Sequence, residues 1–354
     1  MNFNYSRNAV GKNEKTLQRI LEIVPAVLSW GIIIGMSAVS FFYPFLAAVI
    51  IMAFLLYWLL RLIYINIFLV LSYKRLVKEN NVRCAEKIEL ADMANDIYHF
   101  VVIPVVRETA EIVEPGIIGI KDSEYPCSKI LVIIALEEIA SSKVKQDMFA
   151  LQEKYKEYFL DFIIKVHPAG LPGEARVKGA NATYAARAAA DFFKLYNIVY
   201  ENVLVSCFDA DTVVKRNYFS CLTRYFMVTP DRTRASYQPI PVYHNNIWDV
   251  PSFARIIDIG TSFFQLVEST NPSKLVTFSS HSMSFKTLVD VGYWPVDMVS
   301  DDSAIFWKAF IHYDGNYGVV PMYTTVSMDI VTGETLFETF KNIYKQKRRW
   351  AWGG

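Results

Sequence analysis

Three short polar motifs hold most of the residue types that can do chemistry: Asp209-Ala210-Asp211, Ser300-Asp301-Asp302 and Gln346-Lys347-Arg348-Arg349-Trp350. A pair of carboxylates two residues apart can hold a hard divalent cation through oxygen, and such a cation can neutralise a leaving diphosphate. A further carboxylate can take a proton from an attacking hydroxyl. Arginine offers a fork of donors to phosphate oxygens, and tryptophan a flat surface to a sugar or a cation. That set suits the transfer of a sugar from a nucleotide diphosphate.

Each motif also has a plainer reading. An isolated Asp-x-Asp is an acidic turn, adjacent aspartates before an apolar helix are caps, and an Arg/Trp-rich helix end lies against a membrane. Position favours chemistry for the first motif. Val203-Leu204-Val205-Ser206-Cys207-Phe208 is a continuous apolar run of the kind buried on both faces of a parallel sheet, and ligands of open α/β sheets bind where such strands end.

Other runs of this type are Phe100 to Val106, Ile130 to Leu136 and Phe162 to Val166. Between them the spacing predicts helices over Asp147 to Phe159, over Ala182 to Tyr196 behind an Asn181 cap, over Ser252 to Val267 and over Thr335 to Lys347. His167 to Gly179, with its prolines and glycines, predicts a loop. Strands alternating with helices imply an α/β domain over residues 99–354, large enough for one substantial core.

The chain has 354 residues and a formal charge of +1, so overall charge gives no reason to expect a nucleic-acid partner. Its 53% hydrophobic content exceeds the roughly 45–50% of soluble domains, and the excess lies near the start. From Ile23 to Leu60, 38 residues carry no Asp, Glu, Lys or Arg, interrupted by Tyr43-Pro44. A spanning helix needs about 20 apolar residues, so two transmembrane helices joined by a tight turn are expected within residues 23–73, the second ending near Tyr73. Residues 1–22 then form a tail and 74–98 a connector. Lys12, Lys15 and Arg19 precede the spans, and Lys74, Arg75, Lys78 and Arg83 follow them, which places both flanks in the cytoplasm.

The four cysteines, Cys84, Cys127, Cys207 and Cys221, show no paired metal spacing and read as packing residues of a reduced compartment. The histidines have no ligand spacing either. Each reads as structural, with His281 and His312 the two expected to lie nearest the motifs.

As an ordered set, the motifs resemble membrane-integrated family 2 glycosyltransferases, the cellulose, chitin and hyaluronan synthase-like enzymes, over roughly residues 98–354. The resemblance implies a GT-A fold with a mixed, mainly parallel sheet behind a transmembrane helical hairpin. It also implies an inverting, metal-dependent hexosyltransferase using Mg²⁺ or Mn²⁺. Asp302 takes the place of the catalytic base ending the Thr-Glu-Asp motif, beside Asp301. Asp209 and Asp211 take the metal and donor-diphosphate positions. Pro104 and Glu108 look like the first-strand donor motif, and Lys178 with Asn181 like the segment approaching the nucleotide sugar. Glu137 stands where relatives present an aspartate to the nucleobase, while Gln346, Arg349 and Trp350 match the Gln-x-x-Arg-Trp motif of polymerising members.

The sequence departs from the pattern at Ser300-Asp301-Asp302 and at Phe278-Ser279-Ser280-His281-Ser282, where synthases carry Phe-Phe-Cys-Gly-Ser. It also stops directly after the last motif, so a C-terminal membrane region is expected to be missing. The partners implied are a nucleoside-diphosphate sugar, UDP favoured, a glycan or lipid-linked acceptor, and the lipid bilayer. The implied location is the inner (plasma) membrane, multi-pass, with a cytoplasmic catalytic domain acting in polysaccharide biosynthesis. Single-sugar transfer to a lipid carrier and a non-catalytic scaffold are the alternatives.

Overall fold

The computed structural model describes residues 12–80 and 96–353. The chain divides into two compact units, Met1–Leu71 and Ser72–Gly354. Two long helices open it, α1 (Lys12–Phe42) and α2 (Pro44–Asn80), both long and apolar enough to cross a membrane. Only Tyr43 separates them. Its amide bonds Val39 O at 2.8 Å and its carbonyl accepts the Ala47 amide at 3.1 Å, while Pro44, which has no N–H to lose, begins α2. The expected turn is therefore one residue that keeps helical hydrogen bonding. Residues 81–95, most of the expected connector, lie outside the described residues.

The second unit is built on an eight-stranded sheet, β1 (Tyr98–Val105), β2 (Ile130–Glu137), β3 (Asp161–His167), β4 (Val203–Cys207), β5 (Val213–Val214), β6 (Ala235–Tyr243), β7 (Ser282–Ser284) and β8 (Gly318–Met328), in the order β3-β2-β1-β4-β7-β6-β8-β5. β1 pairs in parallel with β2 and β4, and β2 with β3. β7 lies antiparallel to both β4 and β6, whereas β6 and β8 are parallel. All strands except β7 and β5 therefore point the same way. The expected mixed, mainly parallel sheet is what forms.

Helices α3 (Ala110–Lys121), α4 (Ser142–Tyr155), α5 (Lys178–Leu195), α6 (Tyr218–Val228), α7 (Ser252–Glu268), α8 (Phe285–Asp290), α9 (Asp301–His312) and α10 (Leu336–Gly353) complete the unit. One core packs Val101, Ile103, Val132 and Ile134 against Ile117, Met148 and Phe219. Another packs Phe100, Val102 and Ile133 against Ala186, Phe193 and Phe285. Alternate residues of one strand thus feed opposite cores, which is why β1 and β2 are apolar without interruption.

Three expectations need correction. α4 starts at Ser142 rather than Asp147, because Ser141 caps it by accepting the Val144 amide at 3.2 Å. Asn181 caps nothing: α5 already begins at Lys178, and Asn181 lies buried inside it. Cys127 and Cys207 are free thiols, but Cys221 is disulfide-bonded, so it is not merely a packing residue.

Candidate active site

The carboxyl ends of β1, β2, β4, β6 and β8 share one edge of the sheet, and every expected site residue outside the helices follows from that. Glu108 lies just past β1, Glu137 ends β2, Asp209 and Asp211 follow β4, and Asp329 follows β8. The helices α5 and α9 aim their first residues at the same edge.

Lys178, the first residue of α5, ties the site together. Its Nζ donates to Asp209 Oδ1 at 2.6 Å and lies 3.5 Å from Asp302 Oδ1. Burial alone would lower the lysine's pKa, yet the two carboxylates raise it well above its ordinary value. Asp209 responds in the opposite sense: burial pushes it up, but Lys178 and the Ser279 hydroxyl, which donates to its Oδ2, hold it below the usual range. Gly179 allows this approach. A Cβ there would lie 2.3 Å from Pro295 O and 2.9 Å from Asp301 Cβ, so any larger residue would push α5 away from the start of α9.

The other member of each pair, Asp211 and Asp301, has no hydrogen bond to Lys178. Burial, followed by the charge of Asp209 and then that of Asp329, pushes Asp211 up to about 7, although its Oδ2 accepts the Asp329 amide at 3.0 Å. Burial and then Asp302 push Asp301 up to about 8, and its Oδ2 has no protein partner. Burial also raises Asp329. The wall of the cleft thus carries Asp209, Asp211, Asp301, Asp302 and Asp329 against Arg176, Lys178 and Arg349. The carboxylates outnumber the cations, by two when all five ionise and by one while Asp301 keeps its proton. Among the described residues no group of three or more His, Cys, Asp or Glu side chains could hold a metal, so the protein alone does not complete a coordination shell.

The loop before β7 supports the aspartates from beneath. Gln238 accepts the Phe278 amide at 2.7 Å and donates to Ser279 O at 3.4 Å. Ser280 sits at φ 58°, a left-handed conformation that costs about 1–3 kcal/mol in a non-glycine residue. There its hydroxyl meets Thr212 Oγ1 at 2.8 Å and the Asp209 amide at 3.4 Å. Thr277 donates to Asp302 O at 2.5 Å. Buried His281 donates from Nδ1 to Phe278 O at 3.1 Å and lies 3.7 Å from Asp302 Oδ1; burial lowers its pKa. His281 is thus at the motifs. His312, in the exposed last turn of α9, is not.

Two clefts meet at these aspartates. One, of about 550 Å³, is lined by Pro104, Glu108, Glu137, Lys178, Asn181, Asp209, Asp211 and Arg349. Glu108 Oε2 accepts the amides of Val106 and Arg107 at 2.8 and 2.9 Å. His167 lies between Glu137 and Glu174, at 3.2 and 2.8 Å. Asn181 donates to Ala135 O at 2.6 Å, and its own Oδ1 is buried without a protein partner. The other cleft, of about 610 Å³, is lined by Asp209, Asp211, Phe278, Asp301, Asp302, Gln346, Arg349 and Trp350. Trp350 meets Phe278 edge to face at 5.6 Å, with Lys347 Nζ 4.0 Å from the indole centroid. All twelve residues singled out from the sequence line one of these clefts or both.

Sequence reasoning missed Gln238, Thr277 and Asp329, and it noted Ser279 only as part of a segment that departs from the synthase pattern. Asp329 left a trace as an acidic residue after an apolar run that reads as a strand once β8 is recognised.

Residues 204–354, somewhat less than half of the chain, match the model of a family described as Glycosyl transferase family group 2. No curated protein sequence matches. Among solved structures, the chain is similar to the mannosyltransferase PcManGT from Pyrobaculum calidifontis in complex with GDP-Man and Mn²⁺, at 14% identity and TM-score 0.47, covering 80% of this chain and 76% of that one. It is also similar to S. aureus TarS 1–349, at 12% identity and TM-score 0.43, covering 66% of this chain and 60% of that one.

Proposed function

We propose that this chain is a membrane-anchored family 2 glycosyltransferase that moves a sugar, with inversion, from a nucleoside-diphosphate sugar to a glycan or lipid-linked acceptor. The observation that carries the reading is the meeting of two clefts at Lys178, Asp209, Asp211 and Arg349, with Asp302 on the wall of one of them. A donor occupies the cleft of Pro104, Glu108, Glu137 and Asn181, its diphosphate toward Asp209 and Asp211. The acceptor enters beside Phe278, Gln346 and Trp350.

Asp302 removes the proton of the acceptor hydroxyl as its oxygen bonds to the anomeric carbon, and the bond from that carbon to the diphosphate breaks with its electron pair leaving on the phosphate oxygen. Lys178, bridging Asp209 and Asp302, fixes the base relative to the diphosphate site. Arg349 faces the same phosphate charge. Asp209 and Asp211 would hold Mg²⁺ or Mn²⁺, which supplies charge neutralisation to the leaving diphosphate. The excess negative charge and the raised Asp211 fit that demand, because binding a cation favours the ionised carboxylate. The first two helices anchor the protein in the inner membrane, with Lys15, Arg19, Lys74 and Lys78 on the cytoplasmic side.

Purified protein given UDP-, GDP- and TDP-sugars with Mg²⁺ or Mn²⁺ tests the reading. Donor-selective, metal-dependent release of nucleoside diphosphate supports it, and product length separates polymerisation from addition of one sugar to a lipid carrier. Metal-dependent nucleotide binding without release, in the presence of glycan and lipid acceptors, would replace it with the scaffold reading.

A further inference from the structure

Residues 168–177 join β3 to α5 and carry two prolines and two glycines. The composition is that of a mobile loop, yet this one is tied along its length. The Ala169 amide donates to Glu138 Oε2 at 2.8 Å, and His167 Nε2 meets Glu174 Oε2 at 2.8 Å. The same imidazole meets Glu137 through Nδ1 at 3.2 Å, so one side chain fastens the loop to a residue that lines the donor cleft. Beyond Glu174, the Ala175 amide donates to Val296 O at 2.9 Å and the Val177 amide to Ala175 O at 2.9 Å. The last of these bonds closes a γ-turn with Arg176 at its centre.

That stapled turn presents one cation. Arg176 is exposed, lines both clefts and, among the described residues, has no carboxylate partner. The mechanism above gives it no task. Of the other two cations where the clefts meet, Lys178 is engaged by Asp209 and Asp302, while Arg349 reaches the site from α10. Arg176 is thus an unengaged guanidinium held at the start of α5. Its fork of donors matches the oxygens of a phosphate, and hydrogen bonds between charged groups are the strong ones.

We propose that Arg176 is a donor-binding residue that grips the diphosphate of the nucleotide sugar from the α5 side, together with Arg349 of α10. The inference rests on the functional reading above and adds to it a residue that no motif of the sequence marks.

Calorimetry on the full chain with Mn²⁺ and UDP, GDP or TDP tests it, beside binding of the matching nucleosides measured by saturation-transfer NMR. For whichever diphosphate binds most tightly, Arg176→Ala should weaken affinity about tenfold or more and leave that of the nucleoside unchanged. Arg176→Lys should recover part of the loss, because it keeps the charge and gives up the fork. Arg187→Ala, which removes an exposed arginine of α5 outside both clefts, should bind as the wild type does; a loss there equal to that of Arg176→Ala would reduce the effect to net charge and overturn the proposal. Undiminished diphosphate affinity in Arg176→Ala overturns it too and leaves the functional reading standing. So does an equal loss for diphosphate and nucleoside, which would mean that the substitution disturbs the cleft rather than a phosphate contact. A wild-type chain that binds none of the three diphosphates overturns both.

Discussion

The carboxyl end of β4 and the amino end of α9 each present two aspartates, and the protein treats the two pairs alike. In each, one carboxylate reaches Lys178 and the other is left to burial: Asp209 and Asp302 are bridged, while Asp211 and Asp301 are pushed up to about 7 and about 8. The pairs differ in what surrounds the unbridged member. Asp211 lines both clefts, so a cation arriving with the donor can reach it and favour its charged form. Asp301 is buried at the first turn of α9 with an unpartnered oxygen, which favours its protonated form and, on the proposed mechanism, keeps it out of proton transfer at neutral pH. On the proposed mechanism one lysine thereby assigns four similar side chains to different work.

Removing the cation erases the contrast most completely. Chelation of divalent metal should abolish nucleoside diphosphate release, and Mn²⁺ or Mg²⁺ should restore it; release that persists in EDTA would detach Asp209 and Asp211 from the metal role. Asp302→Asn should reduce turnover by about 10²–10⁴-fold, the usual worth of a positioned general base, with donor affinity by calorimetry largely kept.

Lys178→Met leaves Asp209 facing Asp302 without the cation between them. It should cost about 1–3 kcal/mol of stability in a denaturant titration, below the cost of breaking a fully buried pair because both carboxylates are partly exposed. A smaller effect concerns Asp301. Its folded-state pKa near 8 lies above its ordinary 3.8, so between those values the folded protein binds more protons than the unfolded chain and stability falls as pH rises. Asp301→Asn has no such proton to lose. Its melting temperature should gain on the wild type steadily from pH 5 to about 8, and a constant difference would contradict the buried, protonated assignment.

Much of this arrangement could be read without coordinates. β1, β2 and β4 stood out because strands buried on both faces are largely apolar, while β3, a half-buried edge strand that Lys165 interrupts, left a weaker signal; Asp209 drew notice because it follows β4. β6 and β8 did not: Pro239 and Pro241 punctuate β6, buried Ser236 and Gln238 break its apolar pattern, and Pro321, Thr324 and Thr325 do the same in β8. A pairing irregularity lies between Gln238 and Ile240, where Gln238 turns its amide to the loop carrying Ser279. That polar interior serves the site, and it hid the strands. The bridge from Lys178 to Asp209 and Asp302 joins residues 31 and 124 positions apart, a distance no local pattern reports. The resemblance identified Lys178 as approaching the donor, but its link to Asp302 appeared only in the fold.

The central claim is that Asp302, and not its neighbour Asp301, takes the proton from the acceptor. Single-turnover transfer by Asp302→Asn and Asp301→Asn, measured side by side with saturating donor and metal, tests it most directly. The account predicts a loss of about 100-fold or more for Asp302→Asn and a rate near wild type for Asp301→Asn at neutral pH. Near-normal transfer by Asp302→Asn, or an equal loss in both variants, would contradict it.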